Sequence, residues 1–394
     1  MPRKSREDIP RERPPKRPQR NVDLTEITEK VHAGERLSLD DGVKLFESAD
    51  LLTVGQLANT VRERLHGDRT YYNVNRHLNP TNVCFVGCEL CAYQDKVTAP
   101  GTWSYSPEQC VEIARRDWTP DVTEFHIVGG LHPHWKFHVY VDILRELKKA
   151  FPQVHLKAFT MVEIDWLAKL AKKSVDETLD ILIEAGLDSC PGGGAEVFAP
   201  RVHEIIAHNK ITGDRWLEVA GTCHENGLRT NATILYGHVE TFEERVDHLI
   251  RLREQQDRTG GFDCFIALAF HPENTPFEGH MGATDGFDDL KTIAVSRLML
   301  DNFDHIKAYW IMLTQKIAQV ALRFGANDLD GTVIDERITH AAGGVAGKGM
   351  TRTQIEDFIR EAGRVPVERN TTYTEFKEIL NEGQAEESST EAGV

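Results

Sequence analysis

Long apolar runs are missing from this sequence: no window approaches the roughly 20 consecutive apolar residues that span a bilayer, so no membrane segment is expected. Positive charge is in short supply as well. Lysine and arginine number 46 against 62 aspartates and glutamates, a formal net charge of −16. A general nucleic-acid binder presents a basic stripe, so nucleic acid is not an expected partner. Cysteine is scarce, seven in 394 residues, with no secretory leader ahead of it. A sparse, odd set argues against a disulfide framework and for the reducing interior of a cell. Apolar residues thin out at the ends: residues 1–22 are rich in Arg, Lys and Pro, residues 379–394 in acidic groups, and both are expected to be disordered. What remains is a cytoplasmic protein acting on a small molecule, long enough for one large α/β barrel or two ordinary domains.

What is present is concentrated. Three of the cysteines stand as Cys84-x3-Cys88-x2-Cys91, with no fourth close by. Zinc takes four ligands, usually Cys or His pairs at finger-like spacing. The fourth would have to be Cys110 or His77, and neither completes a recognisable pattern. Electron-transfer clusters also take four cysteines. Three thiolates in one short loop suit a [4Fe–4S] cluster with one iron left open to a ligand. Zinc and incidental cysteines are the alternatives, and the surrounding sequence favours the open cluster. Cys190, Cys223 and Cys264 read as small buried hydrophobes.

Helical spacing of apolar residues marks 24–31, 38–46 and 51–65, a collar over residues 23–70, with Ser38 and Asp41 forming an imperfect capping box. From about residue 71 short β-rich runs alternate with amphipathic segments. Strands are expected at 73–78, 124–128, 155–159, 187–190, 229–235, 262–270 and 306–312, with helices between them. Repeated βα alternation implies a parallel sheet with right-handed crossovers. The fold expected is α/β, a complete or nearly complete (β/α)8 barrel over residues 71–325. Residues 326–378 would then form an extension capping it.

In such a barrel the chemistry sits on loops at the C-terminal ends of the strands. The unusual motifs of this chain fall there. Gly129 and Gly130 let backbone approach a ligand closely. Pro191-Gly192-Gly193-Gly194-Ala195-Glu196 offers a run of N–H groups for a carboxylate or ribose, with Glu196 as an acceptor. Thr230-Asn231-Ala232-Thr233 alternates polar residues along a strand, so one set must face the barrel interior, where a ligand would pair it. His238 and His271, at strand ends, are acid–base candidates, although lone histidines are more often structural. Gly325-Ala326-Asn327-Asp328-Leu329-Asp330-Gly331 reads as a mouth loop after the strand at 306–312, or as a plain turn. Gly343-Gly344-Val345-Ala346-Gly347-Lys348-Gly349 lacks Walker spacing and reads as a mobile lid.

Taken together these motifs resemble the radical S-adenosylmethionine (SAM) enzymes, and among them the aminofutalosine synthases. The resemblance rests on the three cysteines, Gly129-Gly130-Leu131-His132-Pro133, Lys157-Ala158-Phe159-Thr160, the Pro191–Glu196 and Thr230–Thr233 segments, Tyr236-Gly237-His238-Val239-Glu240, His271-Pro272-Glu273-Asn274-Thr275 and Gly325–Gly331. It runs from about residue 35 to residue 375.

The resemblance implies that Cys84, Cys88 and Cys91 hold the cluster and that its open iron chelates SAM. It places Gly129 and Gly130 at the SAM amino group, with Tyr93 and Asn231 also binding the cofactor. Two positions depart from the superfamily pattern: Leu131 stands where Glu is common after the glycine pair, and Leu90 where an aromatic usually precedes the third cysteine. Adenine contact then falls to backbone or to Tyr93. The implied reaction joins the 5′-deoxyadenosyl group of SAM to 3-[(1-carboxyvinyl)oxy]benzoate, with rearrangement and loss of a carboxylate, and takes an electron from a protein such as flavodoxin or ferredoxin. For the dianionic substrate, Arg201, His203, His238, His271 and the Gly192–Gly194 amides are the candidate partners, with Glu196, His238 and His271 as the catalytic candidates. Helical segments at both ends of the chain would cover the mouth. The alternatives are a related enzyme abstracting hydrogen, such as dehypoxanthine futalosine cyclase or a deazaflavin-cofactor synthase, and a zinc-stabilised binding barrel.

Overall fold

The structure is a computed structural model and describes residues 19–94, 99–116, 118–333, 337–344, 347 and 349–379. The expected tails and part of the 343–349 loop lie outside these residues.

Short strands, most of them buried on both faces, build one sheet: β1 (Arg69–Asn73), β2 (Asn75–Leu78), β3 (Glu124–Ile127), β4 (His155–Ala158), β5 (Ser189–Cys190), β6 (Arg229–Tyr236), β7 (Phe262–Ala269), β8 (His305–Lys307), β9 (Asp328–Gly331), β10 (Val365–Arg369) and β11 (Phe376–Glu378). Their order is β11-β10-β1-β9-β8-β7-β6-β5-β4-β3-β2, every pair parallel except β10 with β11. β1 and β2 are one strand interrupted at Val74. The first half pairs with β9 and the second with β3, so the ring closes through the chain itself. Hydrogen bonds bind the seam: Thr332 Oγ1 donates to the Asn75 carbonyl at 2.9 Å, and the Val333 N–H donates to Asn75 Oδ1 at 2.9 Å. Gly331 is required here, because a Cβ would stand 2.3 Å from the Asn73 carbonyl oxygen. Counting β1 and β2 together, β1–β9 give the eight strands of a (β/α)8 barrel.

Two sequence expectations change. The 306–312 run is not one strand. β8 ends at Lys307 and residues Trp310–Leu313 form a helical turn, a distinction that a short apolar run cannot encode by periodicity. Residues 325–331 are not a mouth loop but contain the eighth strand. Their turn-like composition reflects buried polar work: Asp328 receives Arg369, Asp330 receives Lys307 and the Asn327 carbonyl oxygen Oδ1 receives Arg297.

The N-terminal helices Thr25–Ala33, Leu39–Glu47 and Leu51–His66 lie against the outer helices Phe242–Thr259 and Gly286–Met299. The Ser38–Asp41 capping box is complete, with both reciprocal bonds made. Buried cations pin this collar to the barrel: Lys291 donates to the Ser48 carbonyl at 2.6 Å and Arg253 to that of Leu37 at 3.0 Å. None of the collar reaches the central cavity, so it is no lid. Ile338, Thr339 and Ala342, from the C-terminal side, do line that cavity.

Candidate active site

A cavity of about 340 Å³ opens at the C-terminal ends of the barrel strands. Its rim is built by the loop after β2. Thr81 organises that loop: its hydroxyl receives the Val83 N–H at 3.0 Å and its carbonyl receives the Gly130 N–H at 2.9 Å. The Glu89 N–H donates to the Ile206 carbonyl at 3.0 Å and Asn209 Nδ2 to the Val86 carbonyl at 2.8 Å, so the loop is held from both sides. Cys84, Cys88 and Cys91 all face the cavity, whereas Cys110, Cys190, Cys223 and Cys264 are buried outside its lining. Burial pushes the Cys88 thiol up to about 12 and raises that of Cys91, while the nearby Lys210 ammonium pulls both back.

These residues suit a cluster better than zinc. A zinc ion draws all its ligands to about 2.0–2.3 Å, yet among the described residues no three His, Cys, Asp or Glu side chains stand close enough to share one ion. Three free thiols on one short loop, all lining the cavity, fit a [4Fe–4S] cluster, and Cys84, Cys88 and Cys91 would hold three of its irons.

The glycine pair explains how the wall is assembled. A Cβ on Gly130 would stand 2.3 Å from the Val83 carbonyl oxygen and 3.0 Å from the Cys84 Cβ, so only glycine lets the β3 loop lie on the cysteine loop. Gly129 and Gly130 line the cavity beside Tyr93, whose hydroxyl donates to the Thr81 carbonyl at 3.3 Å and whose ring meets Trp103 edge-on. Gly192 plays the same packing role against the Asn231 carbonyl, 2.4 Å from where a Cβ would be. Asn231 and Thr233 are the inward pair of the Thr230–Thr233 segment. Thr233 donates to the Gly192 carbonyl at 2.7 Å, and Asn231 Oδ1 is buried without a partner. Thr230 turns outward to His224.

Glu196, at φ 48°, forms an ion pair with Lys210, and both line the cavity. Burial pulls the Lys210 ammonium down, but Glu196 and the Cys88 thiol outweigh it and hold the lysine above its usual range. His271 also lines the cavity, its Nε2 3.0 Å from the Met312 carbonyl. The other candidates are elsewhere. His238 is fully enclosed, with Nε2 2.8 Å from the Leu235 carbonyl and Nδ1 2.8 Å from the Val239 nitrogen, and does not line the cavity. Both ring nitrogens are taken, so its place is structural. Arg201 pairs with Glu244, and His203 meets the Ile211 carbonyl; neither lines the cavity.

The floor of the cavity is a polar layer. His77 and His126 stack at 4.7 Å with rings 13° apart. Lys157 lies 3.6 Å from Glu124, and Lys307 donates to Asp330 at 2.6 Å. Burial alone would raise the Glu124 carboxyl, but Lys157 and then His126 hold it well below the usual carboxylate range. Burial, with His126 next to it, pushes His77 down to about 3, so its ring is neutral. Ile266, Leu268, Leu235 and Phe270 form an apolar belt between floor and rim.

Glu163 connects the rim to the helix Met161–Ala171. It closes the capping box with Thr160 and accepts the Gly129 N–H at 3.2 Å. Burial pushes its carboxyl up to about 7 against three opposing hydrogen bonds. A carboxyl with a raised folded-state pKa adds stability below its unfolded value and loses it as pH climbs through 7. Glu163→Gln is therefore expected to remove about 3 kcal/mol of the stability lost between about pH 5 and 8. Urea midpoints at several pH values check this, and parallel curves for the two proteins would refute it.

Comparison with known proteins agrees with this architecture. A family model described as the Radical SAM superfamily matches residues 78–252, and one described as the CofH/MqnC C-terminal region matches residues 259–383. The chain is 47% identical to an aminodeoxyfutalosine synthase of Thermus thermophilus over 361 residues, covering 91% of this chain and 97% of that one. It is 44% identical to the aminodeoxyfutalosine synthase of Streptomyces coelicolor over 368 residues, 91% and 94% of the two chains. A crystal structure of methylornithine synthase superposes with a TM-score of 0.66 at 18% identity, over 86% of this chain and 95% of that one, which speaks for the barrel alone. The chain belongs to the aminodeoxyfutalosine synthase family of the radical SAM superfamily.

Proposed function

We infer that this chain is itself an aminodeoxyfutalosine synthase, an enzyme of menaquinone biosynthesis using a [4Fe–4S] cluster and SAM. The observation that carries the reading is the three-cysteine rim at the mouth of a cavity with an apolar belt and a charged floor. SAM and 3-[(1-carboxyvinyl)oxy]benzoate are both consumed. The C5′–S bond of SAM breaks and C5′ joins the vinyl CH2. The aryl group moves from the ether oxygen to the neighbouring carbon, that oxygen becomes the ketone, and the carboxylate leaves as CO2 or bicarbonate with return of the electron that cleaved SAM. Methionine and 6-amino-6-deoxyfutalosine are thus released with no net redox change. The cluster, when bound, supplies the electron that cleaves SAM.

Cys84, Cys88 and Cys91 hold that cluster in this reading. Gly129, Gly130 and Tyr93 contact SAM, and Glu196 and His271 face the reacting groups from the rim; Asn231, expected from the sequence to bind SAM, is given to the substrate instead. Enclosure by the barrel and by residues 338–342 keeps the radical from solvent. Residues 71–325 serve as the barrel core and 326–378 as its cap, although the cap also donates β9 to the ring. The electron comes from a small redox protein such as flavodoxin or ferredoxin, in the cytoplasm. Among the described residues no helix is long and apolar enough to cross a membrane.

The test is anaerobic reconstitution with iron and sulfide, followed by mass spectrometry of products from SAM, dithionite and the enolpyruvyl-oxybenzoate. An adduct carrying the adenosyl group, formed with loss of CO2, is the expected result. Free 5′-deoxyadenosine with the substrate only dehydrogenated would favour hydrogen abstraction instead.

A further inference from the structure

The cavity lining contains three cations, Lys157, Lys210 and Lys307. Lys210 is committed to Glu196 at the rim, and Lys307 to Asp330 at 2.6 Å on the floor. Lys157 differs. It is 3% exposed, its nearest carboxylate oxygen, on Glu124, lies at 3.6 Å, and it makes no hydrogen bond with any described residue. An ammonium has three N–H donors, and this one opens on the cavity with its nearest carboxylate beyond hydrogen-bond distance, so the site suits an acceptor that enters the cavity. Two more orphaned groups line the same cavity. Among the described residues, Asn231, 2% exposed, has Oδ1 without a partner, and His77 has a buried Nε2 without one.

We propose that Lys157, with Asn231 and His77, is the receptor for the ring carboxylate of the substrate, and that it selects a carboxylated aryl ether over an unsubstituted one. The assignment rests on the reaction proposed above. The substrate is a 1,3-substituted aryl ether with one carboxylate on the ring and the other on the enol-ether arm. Its enol-ether end must meet the adenosyl group at the cysteine rim, so its ring lies along the belt of Ile266, Leu268 and Phe270 and its second carboxylate reaches the floor. The carboxylate there gains charge-assisted bonds from Lys157. The neutral His77 ring carries one N–H, and the Asn231 amide, whose orientation is set by its partners, turns its NH2 toward an anion. Lys157 is a binding residue in this scheme and touches no reacting atom.

The experiment measures calorimetric binding to the reconstituted enzyme with SAM and no reductant, so that nothing turns over. The diacid is compared with 2-phenoxyacrylate, which lacks the ring carboxylate. Wild type is expected to prefer the diacid by roughly 10- to 100-fold, the worth of hydrogen bonds to a charged group. Lys157→Met is expected to bind the two within a few-fold of each other, and Lys157→Arg to retain part of the preference. Because Lys157→Met leaves Glu124 unpaired, Lys157→Met with Glu124→Gln is made alongside it, with iron content and circular dichroism reporting the fold. A wild type that forms the adduct while the Lys157→Met proteins keep the full preference overturns the floor assignment alone. A wild type that binds neither compound overturns the reaction and the assignment with it.

Discussion

Replacing Cys88 by alanine is expected to give a folded, colourless protein that takes up little iron and makes no adduct. Cys88 sits at the centre of the rim loop, its thiol facing the cavity and its backbone carbonyl receiving the Cys91 N–H at 3.3 Å. The side chain is small and its loss opens little volume, so the fold should persist. The cluster should not, because two thiolates would leave two of its four irons without a protein ligand. Turnover is expected to fall by more than ~100-fold, the upper end of what losing even an outer-sphere partner costs a metal site. Iron analysis, the visible spectrum and product formation after anaerobic reconstitution check this together. Cys110→Ala is the informative control. Cys110 is buried in the helix Pro107–Arg116, away from the cavity, and was the one cysteine near enough in sequence to complete a zinc site. Its loss should leave iron and turnover intact. Full activity in Cys88→Ala, or zinc in both proteins, would sink the cluster chemistry.

The barrel and its rim were legible because their signals are local. Cysteine spacing, glycine pairs at strand ends and βα alternation each occupy a few residues, and each is visible without knowing what lies across the fold. The floor was not read, although it left a trace. His77, Glu124 with His126, His155 with Lys157, His305 with Lys307, and Asp328 with Asp330 place polar residues at alternate positions of short strands. In a barrel strand buried on both faces such residues need partners: Lys307 and Asp330 find each other across the interior, while Lys157 and His77 are left facing the cavity. The Thr230–Thr233 alternation was noticed because three small polar residues stand within four positions. Lys157 entered only as part of the Lys157–Thr160 motif and was given no place in the site, because which face a two- or four-residue strand turns inward depends on register with its neighbours. His238 misled for the converse reason. A histidine at a strand end looks available, but Glu240, two residues on, accepts the Gly237 and His238 N–H groups and folds the segment back under the surface.

The eighth strand was missed on composition, and its polar residues carry the other large expected effect. Asp328 on β9 is fully buried and receives Arg369 of β10 through two bonds, at 2.6 and 3.2 Å. It also receives the Tyr373 hydroxyl at 2.8 Å and the Asp330 N–H at 2.7 Å. β1 lies between β9 and β10, so this pair staples three strands at the seam where the barrel closes. Burial alone would raise the Asp328 carboxyl, yet Arg369 and Lys307 hold it below the usual range, so the pair is ionised together. Asp328→Ala strands the guanidinium of Arg369 without its anion and is expected to cost about 3–5 kcal/mol. Asp328→Leu combined with Arg369→Met removes both charges and should recover most of that loss, since a buried pair is worth little more than apolar groups filling the same space. Recovery should be incomplete, because the Tyr373 hydroxyl and the Asp330 N–H lose their acceptor in both proteins. Urea unfolding followed by circular dichroism measures the three proteins side by side. If Asp328→Ala unfolds within about 1 kcal/mol of wild type, in the range of an ordinary surface pair, the seam does not depend on this contact. Closure would then rest on the Thr332–Asn75 bonds and the chain continuity at Val74. If the single variant is as fragile as expected and the double is not, the C-terminal strands are part of what closes the barrel. The segment that covers the mouth and the segment that seals the ring would then be one continuous piece of chain.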